Sequence, residues 1–377
     1  MKKIYDLQAE ENRKTRAFLV GLPLVQNPGG LAELSGLVWT LGMETAGQTI
    51  LPRLEVQPAY GMGSGKPKEI CHAAREAGAD CIIMDWELDP TKQRNWEKLA
   101  EIPVFDRQEV IIRIFASRAR TKEAVLQVEL ARLEYSLPRL AHMYGDLARQ
   151  RGGNYGSKGS GEKQLELDRR QTRIKIQQLK AELKKVRQNR ATQRKRRQKI
   201  PLPSIALCGY TNAGKSSLMN ALTGSDALVE NKLFATLDPL TRRIKIAGED
   251  ILLTDTVGFI SNLPHQLIDA FKSTLEEAVL SDALLIVIDA SDPNALSQAK
   301  TVHAVLKEIQ ADKKPAIVAL NKIDALESFD DKGRAAALLA PLKEEFDGAL
   351  EISAKSGAGL DKLRDLIKQK ISAIIKE

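Results

Sequence analysis

Short apolar runs alternate with stretches of helical spacing in the first part of the chain. The runs AFLVGLPL, QTILPRLEV and DCIIMD predict β-strands, and apolar residues at helical spacing predict helices around residues 31–41, 67–77 and 90–101. Strands that alternate with helices favour a sheet of largely parallel strands. We therefore predict a small α/β domain at residues 1–120.

A long helical hairpin is predicted to follow. Apolar positions recur in alternating steps of four and three residues through 126–147, and a second face of this kind runs through 172–186. Pro138 is expected to kink the first helix. Because the glycine-rich stretch 152–161 separates the two faces, we predict an antiparallel hairpin at residues 121–200 with its tip at 152–161.

Beyond Pro201 and Pro203, where a helix must stop, the α/β alternation returns. The runs IALCG, RIKIA, ILLTD, ALLIVID, AIVALN and ALEIS predict strands, with helices after most of them. Residues 201–377 are enough for one doubly wound domain with a mostly parallel sheet. We expect the chain to stop at the last helix of that domain, without an extra C-terminal domain.

The positive charge of the chain is concentrated in one segment. Residues 149–200 carry 18 lysines and arginines against 4 aspartates and glutamates, a net charge of +14, whereas the whole chain carries +8 and the remainder therefore −6. Such a segment favours a polyanionic partner, and a solvated helix face is the alternative.

The three cysteines, Cys71, Cys81 and Cys208, match neither a disulfide framework nor a zinc spacing, and we expect each to be a small buried residue. From the first residues, MKKIYDLQAE, we expect no secretory signal, and the sequence contains no run of about eighteen apolar residues. We therefore predict a cytoplasmic protein without a membrane span.

The run GYTNAGKSS is predicted to be a loop that binds the phosphates of a nucleotide, because its G-x-x-x-x-G-K-S pattern lies between a predicted apolar strand and a predicted helix. Lys215 is predicted to contact the β- and γ-phosphates of a nucleotide, and the Ser216 hydroxyl to bind Mg²⁺. The predicted nucleotide-binding loop consists of Gly209, Tyr210, Thr211, Asn212, Ala213, Gly214, Lys215, Ser216 and Ser217.

A second glycine-lysine run, GMGSGKP at residues 61–67, imitates this loop. Counting back from Lys66 puts Tyr60 where the first glycine belongs, and Pro67 replaces the metal-binding hydroxyl. We do not expect this run to bind a nucleotide.

Two motifs further along the chain predict that the nucleotide is GTP. Asp324 ends the motif NKID, and its carboxylate can accept hydrogen bonds from the N1–H and the amino group of guanine, whereas adenine offers no such pair of donors. The short run SAK follows a later strand and is expected to offer a backbone N–H to the guanine oxygen. The predicted base-binding residues are Asn321, Lys322, Asp324, Ser353, Ala354 and Lys355.

Two more segments are predicted to contact the phosphates and the metal ion. The segment DTVG ends a strand with Asp255, and its Gly258 N–H is expected to meet the γ-phosphate. In the segment FATLD, Thr236 is the candidate for a second hydroxyl ligand of Mg²⁺, and Thr241 is the alternative. The predicted metal ligands are Ser216, Thr236 and Asp255; the predicted nucleotide contacts also include Phe234, Ala235, Leu237, Asp238, Thr256 and Val257.

This ordered set of motifs resembles a small GTPase domain, with Lys215, Thr236, Gly258 and Asn212 as catalytic candidates. Phe259 stands where many signalling GTPases carry a water-orienting glutamine, so we expect slow intrinsic hydrolysis until a partner assists. The resemblance also implies a possible K⁺ ion, because GTPases that use K⁺ carry asparagine at the position of Asn212.

The segments DTVGFISNLPHQLIDAFKSTLEEA, FATLDPLTR, IFASRARTKEAVLQVELARLEYSLPRL and GEKQLELDRR resemble the HflX family of translation-associated GTPases. The resemblance implies binding to the large ribosomal subunit, with the hairpin tip directed at the peptidyl-transferase region and ribosome splitting or rescue as the outcome. The tip departs from the family, since Lys158, Ser160 and Lys163 replace its usual arginine, proline and threonine.

The expected partner is therefore the rRNA of the large subunit, bound by a monomer that exchanges GTP and GDP. Two other readings stay open: an RNA-binding scaffold with structural GTP, and an RNA-modification GTPase, although His72, His142, His265 and His303 form no evident catalytic set. The candidate RNA contacts are Arg151, Tyr155, Lys158, Lys163, Arg169 and Arg170.

Overall fold

The chain divides into two compact units, one comprising Met1–Ser117 with Val125–Arg187 and the other Arg118–Ala124 with Gln188–Glu377. Both units contain an α/β sheet, as the sequence predicts. The computed structural model describes residues 13–23, 30–54, 57–150, 158–197, 202–224, 232–246, 248–261, 275–327 and 332–376.

The first unit contains a four-stranded parallel sheet of order β2-β1-β3-β4. The sequence analysis predicts neither β4 nor α4. A strand of three residues, as in β4, is too short to show a periodicity. The predicted strand QTILPRLEV is observed only as far as Ile50, two residues before Pro52, since proline cannot donate to a strand ladder. The elements are β1 (Arg16–Gly21), α1 (Gly30–Thr40), β2 (Glu44–Ile50), α2 (Gly65–Glu76), β3 (Cys81–Met84), α3 (Pro90–Ala100), β4 (Val104–Asp106) and α4 (Arg107–Arg118).

Buried carboxylates at the ends of β3 and β4 are paired with arginines of the same unit. Arg107 donates to Asp85 at 2.9 Å and forms an ion pair with Glu33 at 2.9 Å. Arg139 lies 3.0 Å from Asp106. Burial raises the pKa of the Asp106 carboxyl, and the Arg139 charge opposes that rise. The charges of these strand-end acids are therefore balanced inside the unit, and removal of one partner would leave an unpaired buried charge.

The region of the predicted hairpin contains two long helices, α5 (Lys122–Gln150) and α6 (Lys158–Arg197). Helix α5 continues through Pro138. Helix α6 begins at Lys158, so the last four residues of the predicted tip, 158–161, are helical; residues 151–157 lie outside the described residues.

The two helices differ in how well the apolar pattern predicts their buried faces. On α6, Ile176 and Leu179 of the predicted face are buried. On α5, the predicted positions 126, 130, 133, 137 and 140 are only partly buried, whereas Val128 and Tyr135 are buried. The reason is a contact with the α/β domain: the Tyr135 hydroxyl donates to Asp106 at 2.9 Å, so this face of α5 packs against the domain.

The second unit contains a six-stranded sheet of order β10-β9-β8-β5-β7-β6, parallel except for the edge strand β6. This confirms the predicted doubly wound, mostly parallel arrangement. Residues 275–280 are also helical. The elements are β5 (Ser204–Gly209), α7 (Lys215–Thr223), β6 (Leu240–Ile246), β7 (Glu249–Asp255), β8 (Ala283–Asp289), α8 (Ala295–Glu308), β9 (Ala316–Asn321), α9 (Ile323–Glu327), α10 (Lys332–Glu345), β10 (Leu350–Glu351) and α11 (Leu360–Lys376).

The segment Arg118–Ala124, which holds the first turn of α5, belongs to this second unit. Its Thr121 hydroxyl donates to the Asp238 carboxylate at 2.5 Å, and the Thr121 N–H donates to the other carboxylate oxygen at 3.2 Å. Thr121 also accepts from the Ala124 N–H at 3.2 Å, which is an N-cap contact for α5.

None of the helices in the described parts of the chain is both long enough and apolar enough to cross a bilayer.

Candidate guanine nucleotide site

The loop between β5 and α7 folds around the Lys215 ammonium. Lys215 is 6% exposed, and its Nζ donates to the carbonyls of Gly209 at 3.1 Å and Tyr210 at 2.7 Å. Burial lowers the pKa of this ammonium to about 8, and the nearby Asp255 charge opposes that shift. Gly214 has φ +92°, and a Cβ there would collide with the Asn321 side chain, so this turn requires glycine.

Three oxygens from separate segments meet beside this loop. The Ser216 hydroxyl donates to Asp255 Oδ2 at 2.6 Å, the Thr236 hydroxyl donates to the same oxygen at 2.9 Å, and the two hydroxyl oxygens are 2.9 Å apart. Thr241, the alternative candidate, lies on β6 and shares a 3.0 Å hydrogen bond with Thr254. Burial raises the pKa of the Asp255 carboxyl, and the Lys215 charge opposes that rise.

The donor set of these three residues fits Mg²⁺. Adjacent ligands of an octahedral Mg²⁺ with bonds of about 2.1 Å lie about 2.9 Å apart, which matches the spacing of the three oxygens. Among the described residues, no group of three or more His, Cys, Asp or Glu side chains could hold a metal ion. A metal here would therefore depend on the two hydroxyls, one carboxylate and the phosphates of the nucleotide.

Asn321 connects the phosphate loop to the base-binding loop. It is 1% exposed, its amide donates to the Ala213 carbonyl at 2.9 Å, and its Oδ1 accepts from the Ala354 N–H at 2.9 Å. The Asp324 carboxylate accepts from the Ser353 hydroxyl at 2.6 Å, which fixes one of its oxygens. The predicted base-binding motifs are thus brought together at the ends of β9 and β10.

Asp289 belongs to this region as well, although the motifs alone do not indicate it. Its carboxylate lies 2.7 Å from Lys322 Nζ. The signal in the sequence is its place at the end of the apolar run ALLIVID, because polar residues at the carboxyl ends of parallel strands meet at one edge of a sheet.

The remaining nucleotide candidates differ in their surroundings. Asn212 is exposed and has φ +61°, whereas Leu237 is buried and Lys355 is exposed. Asp238 contacts Thr121, as described above. A cavity at the loop is lined by Asn212, Gly214, Lys215, Ser216, Ser217, Lys232, Phe234, Ala235 and Thr236.

The structure describes the side chains of only some of the candidate RNA-binding residues. Arg151 and Tyr155 lie outside the described residues, and only the helical backbone is described at Lys158 and Lys163. Arg169 is half-buried and Arg170 is exposed on α6.

Models of three protein families match successive parts of the chain. They are described as GTP-binding GTPase N-terminal at residues 29–116, GTP-binding GTPase Middle Region at 118–197 and 50S ribosome-binding GTPase at 204–322. Together these matches span most of the chain.

Individual proteins agree with these matches. The chain is 45% identical to the GTPase HflX of Akkermansia muciniphila over 370 residues, covering 94% of this chain and 84% of that one. It is 41% identical to the GTPase HflX of Escherichia coli K12 over 349 residues, covering 92% and 80%. The crystal structure of SsGBP in complex with GDP superposes with a TM-score of 0.52 at 29% identity, covering 95% and 98%.

Relatives that exceed 40% identity over most of both chains establish the family, and the sequence resemblance is confirmed. The chain belongs to the HflX family of GTPases: it binds guanine nucleotides and hydrolyses GTP.

Proposed function

We propose that this GTPase is a switch that binds the large ribosomal subunit in its GTP state and leaves after hydrolysis. Splitting or rescue of ribosomes is the proposed outcome of that cycle. The protein acts as a monomer in the cytoplasm, where translation takes place.

The geometry of the site supports the proposed nucleotide contacts. The Lys215 ammonium, already inside the loop, balances the charge of the β- and γ-phosphates, and the Gly258 N–H donates to the γ-phosphate. The Asp324 carboxylate has one oxygen held by Ser353 and reads the N1–H and amino group of guanine. Adenine presents no matching donors, so its binding would leave the other Asp324 oxygen without a partner at a cost of about 2 kcal/mol or more.

The observation that carries the switch proposal is the contact of Thr236 with Ser216 and Asp255. These three residues would hold Mg²⁺ together with the nucleotide, and the ion would neutralise phosphate charge. Because Thr236 lies in the 234–238 segment, contact with the γ-phosphate side of the nucleotide fixes that segment in one conformation. Loss of the γ-phosphate then releases it, which is the usual two-state element of GTPases.

Hydrolysis is slow without a partner in this proposal. Phe259, which follows Gly258, is 2% exposed and has no group that could orient a water molecule. In this proposal, binding to the ribosome orients the attacking water molecule, which Phe259 cannot do. In this proposal Asn212 would hold a K⁺ ion, which would supply an extra positive charge. Turnover measured in KCl and in NaCl of equal concentration tests this role, and equal rates would refute it.

The arm formed by α5 and α6 is the proposed rRNA-binding element. Helix α6 carries 15 lysines and arginines against 4 acidic residues. Basic side chains near phosphates release counterions, which gives strong and salt-dependent affinity for RNA. The family model described as a 50S ribosome-binding GTPase supports the same partner. The exposed basic residues among the described side chains of α6 are Arg170, Arg173, Lys175, Lys180, Lys184 and Lys185.

The decisive experiment is co-sedimentation with purified large subunits, with GDP or with a non-hydrolysable GTP analogue, at several salt concentrations. We expect binding with the analogue, weaker binding with GDP and a steep loss with salt. A matched variant replaces residues 152–161 with a glycine-serine linker of equal length and tests whether Tyr155 and Lys158 contribute. Equal binding in both nucleotide states would refute the switch.

Turnover measurements distinguish the proposal from an RNA-binding scaffold with structural GTP. The switch predicts that large subunits stimulate GTP hydrolysis, whereas the scaffold predicts the same rate with and without them. Stimulation by small subunits alone would point to a different ribosomal partner.

A further inference from the structure

Four hydrogen bonds join the phosphate loop to Phe259 and Ser261, which follow Gly258 in the chain. In the backbone, Phe259 donates to the Gly209 carbonyl at 3.1 Å, and Thr211 donates to the Phe259 carbonyl at 2.7 Å. In the side chains, the Tyr210 hydroxyl lies 2.6 Å from Ser261 Oγ and accepts from the Ser261 N–H at 2.7 Å. The Tyr210 side chain thus binds the segment twice.

These contacts are shielded from water. Tyr210 is 5% exposed, Ser261 7% and Phe259 2%. A hydrogen bond in such surroundings is stronger and more expensive to lose than one at the surface. Nothing in the nucleotide-binding pattern requires tyrosine at this position, because it is one of the variable positions of the loop.

The residues before Gly258 are fixed as well. Asp255 pairs with Leu207 in the parallel ladder of β5 and β7, and the Thr256 hydroxyl donates to the Leu207 carbonyl at 2.6 Å. Val257 and Gly258 therefore span a short gap between two anchored points. The anchor on one side is the sheet, and the anchor on the other is the Tyr210 hydroxyl with the Phe259 backbone.

Gly258 lies against the lysine of the loop as a result. A Cβ on Gly258 would lie 2.7 Å from Thr211 Cα and 3.0 Å from Lys215 Nζ, so only glycine fits here without displacement. Lys215 is the residue proposed above to contact the terminal phosphates. The two anchors consequently hold the Gly258 backbone beside the Lys215 ammonium.

We propose that Tyr210 is a positioning residue for GTP: its hydroxyl holds the segment after Gly258 so that the Gly258 N–H is in place before the nucleotide binds. This inference rests on the GTP site proposed above. A donor fixed in advance costs less conformational entropy on binding, which raises affinity. Only GTP gains, because GDP has no γ-phosphate for Gly258 to meet.

The test compares two nucleotides in one variant. Tyr210→Phe removes the hydroxyl and keeps the ring, and the affinities for GDP and a non-hydrolysable GTP analogue are measured by equilibrium titration with fluorescent derivatives. We expect the analogue to bind about tenfold more weakly and GDP to change by less than about twofold. Equal losses for both nucleotides would indicate a purely structural role and overturn the proposal, as would no loss at all.

Two further variants keep the test decisive if Tyr210→Phe lowers the melting temperature so far that it cannot be titrated. Ser261→Ala removes one of the two side-chain bonds and should weaken only the GTP analogue, and Ser261→Thr retains the hydroxyl and should restore binding. No difference between these two variants would overturn the proposal. Tyr60→Phe removes a phenol hydroxyl in the other unit and should change neither affinity.

The same titration separates this inference from the proposed GTP site. A wild-type protein that binds neither nucleotide would overturn the site and the role of Tyr210 together. Normal wild-type binding with unchanged affinities in Tyr210→Phe would overturn the role of Tyr210 alone.

Discussion

Two glycine-lysine runs in this chain look alike in sequence and differ in structure. In the run at 209–217, Lys215 is buried and donates to two carbonyls of its own loop. In the run at 61–67, Lys66 is exposed and forms an ion pair with Glu69 at 2.7 Å, one turn further along α2. One lysine faces the inside of a loop, and the other faces solvent.

The difference lies in what precedes and follows each run. Strand β5 ends at Gly209, so the loop begins at the edge of the sheet and leads directly into α7. Strand β2 ends at Ile50, well before Gly61. After the lysine, Ser216 reaches Asp255, whereas Pro67 is buried and has no hydroxyl. We infer that a phosphate site depends on the strand-loop-helix geometry more than on the glycines.

The largest effect is expected when Lys215 is replaced by alanine, and the same replacement of Lys66 serves as the control. Lys215→Ala should abolish measurable nucleotide binding, with a loss of about a hundredfold or more, because several charge-assisted hydrogen bonds to phosphate disappear. Lys66→Ala, the matched control, should bind guanine nucleotides normally. Both are measured by titration with fluorescent GDP, and a strong effect of Lys66→Ala would refute the distinction between the two runs.

The second prediction concerns recognition of the guanine base by the predicted base-binding residues, which lie near the run at 209–217. Asp324→Asn should weaken GTP roughly tenfold to a hundredfold and improve XTP, because an amide can donate to the carbonyl that xanthine carries in place of the amino group. Competition between GTP and XTP measures the change. Asp347→Asn, an exposed control in the same unit, should leave the preference for guanine intact.

The third prediction concerns the metal ion. Thr236→Ala should raise the Mg²⁺ concentration needed for half-maximal turnover about tenfold, because one of the three clustered oxygens is lost. Thr241→Ala removes a threonine whose partner is Thr254 and should leave that concentration unchanged. The assay is GTP hydrolysis as a function of Mg²⁺. The assignment fails if the two variants behave alike.

The smallest effect is expected when the run at 61–67 is given the residues that the phosphate-loop pattern requires. The double variant Tyr60→Gly with Pro67→Ser has the full G-x-x-x-x-G-K-S pattern. A triple variant adds Lys215→Ala to this pair, and we predict that it binds no nucleotide. The double variant alone should melt at a lower temperature, because Tyr60 packs edge-on against Trp96 with ring centroids 5.7 Å apart. Nucleotide binding by the triple variant would show that sequence pattern suffices without the strand.

Much of the fold and of the site is predictable because the relevant signals are local. The strand runs, the two prolines near residue 200 and the GTPase motifs each depend on a few neighbouring residues. Ser216 lies in the first turn of α7 and Asp255 ends β7, so their contact follows from these places, whereas Thr236 reaches them from a loop.

The missed features depend on contacts between distant residues. Tyr135 reaches Asp106, and this contact decides which face of α5 is most buried. Tyr210 reaches Ser261, and Lys322 reaches Asp289. No periodicity within one segment encodes such pairs, because each depends on how the sheet brings its segments together.

The division of the chain into two units has a consequence for proteolysis and truncation experiments. The backbone passes between the two units three times, after Ser117, after Ala124 and after Arg187. Any single proteolytic cleavage therefore leaves at least one fragment that contains residues of both units. A truncation that removes residues 1–117 also strips Tyr135 and Arg139 of their partner Asp106, so the loss of the domain and the loosening of α5 would be measured as one effect.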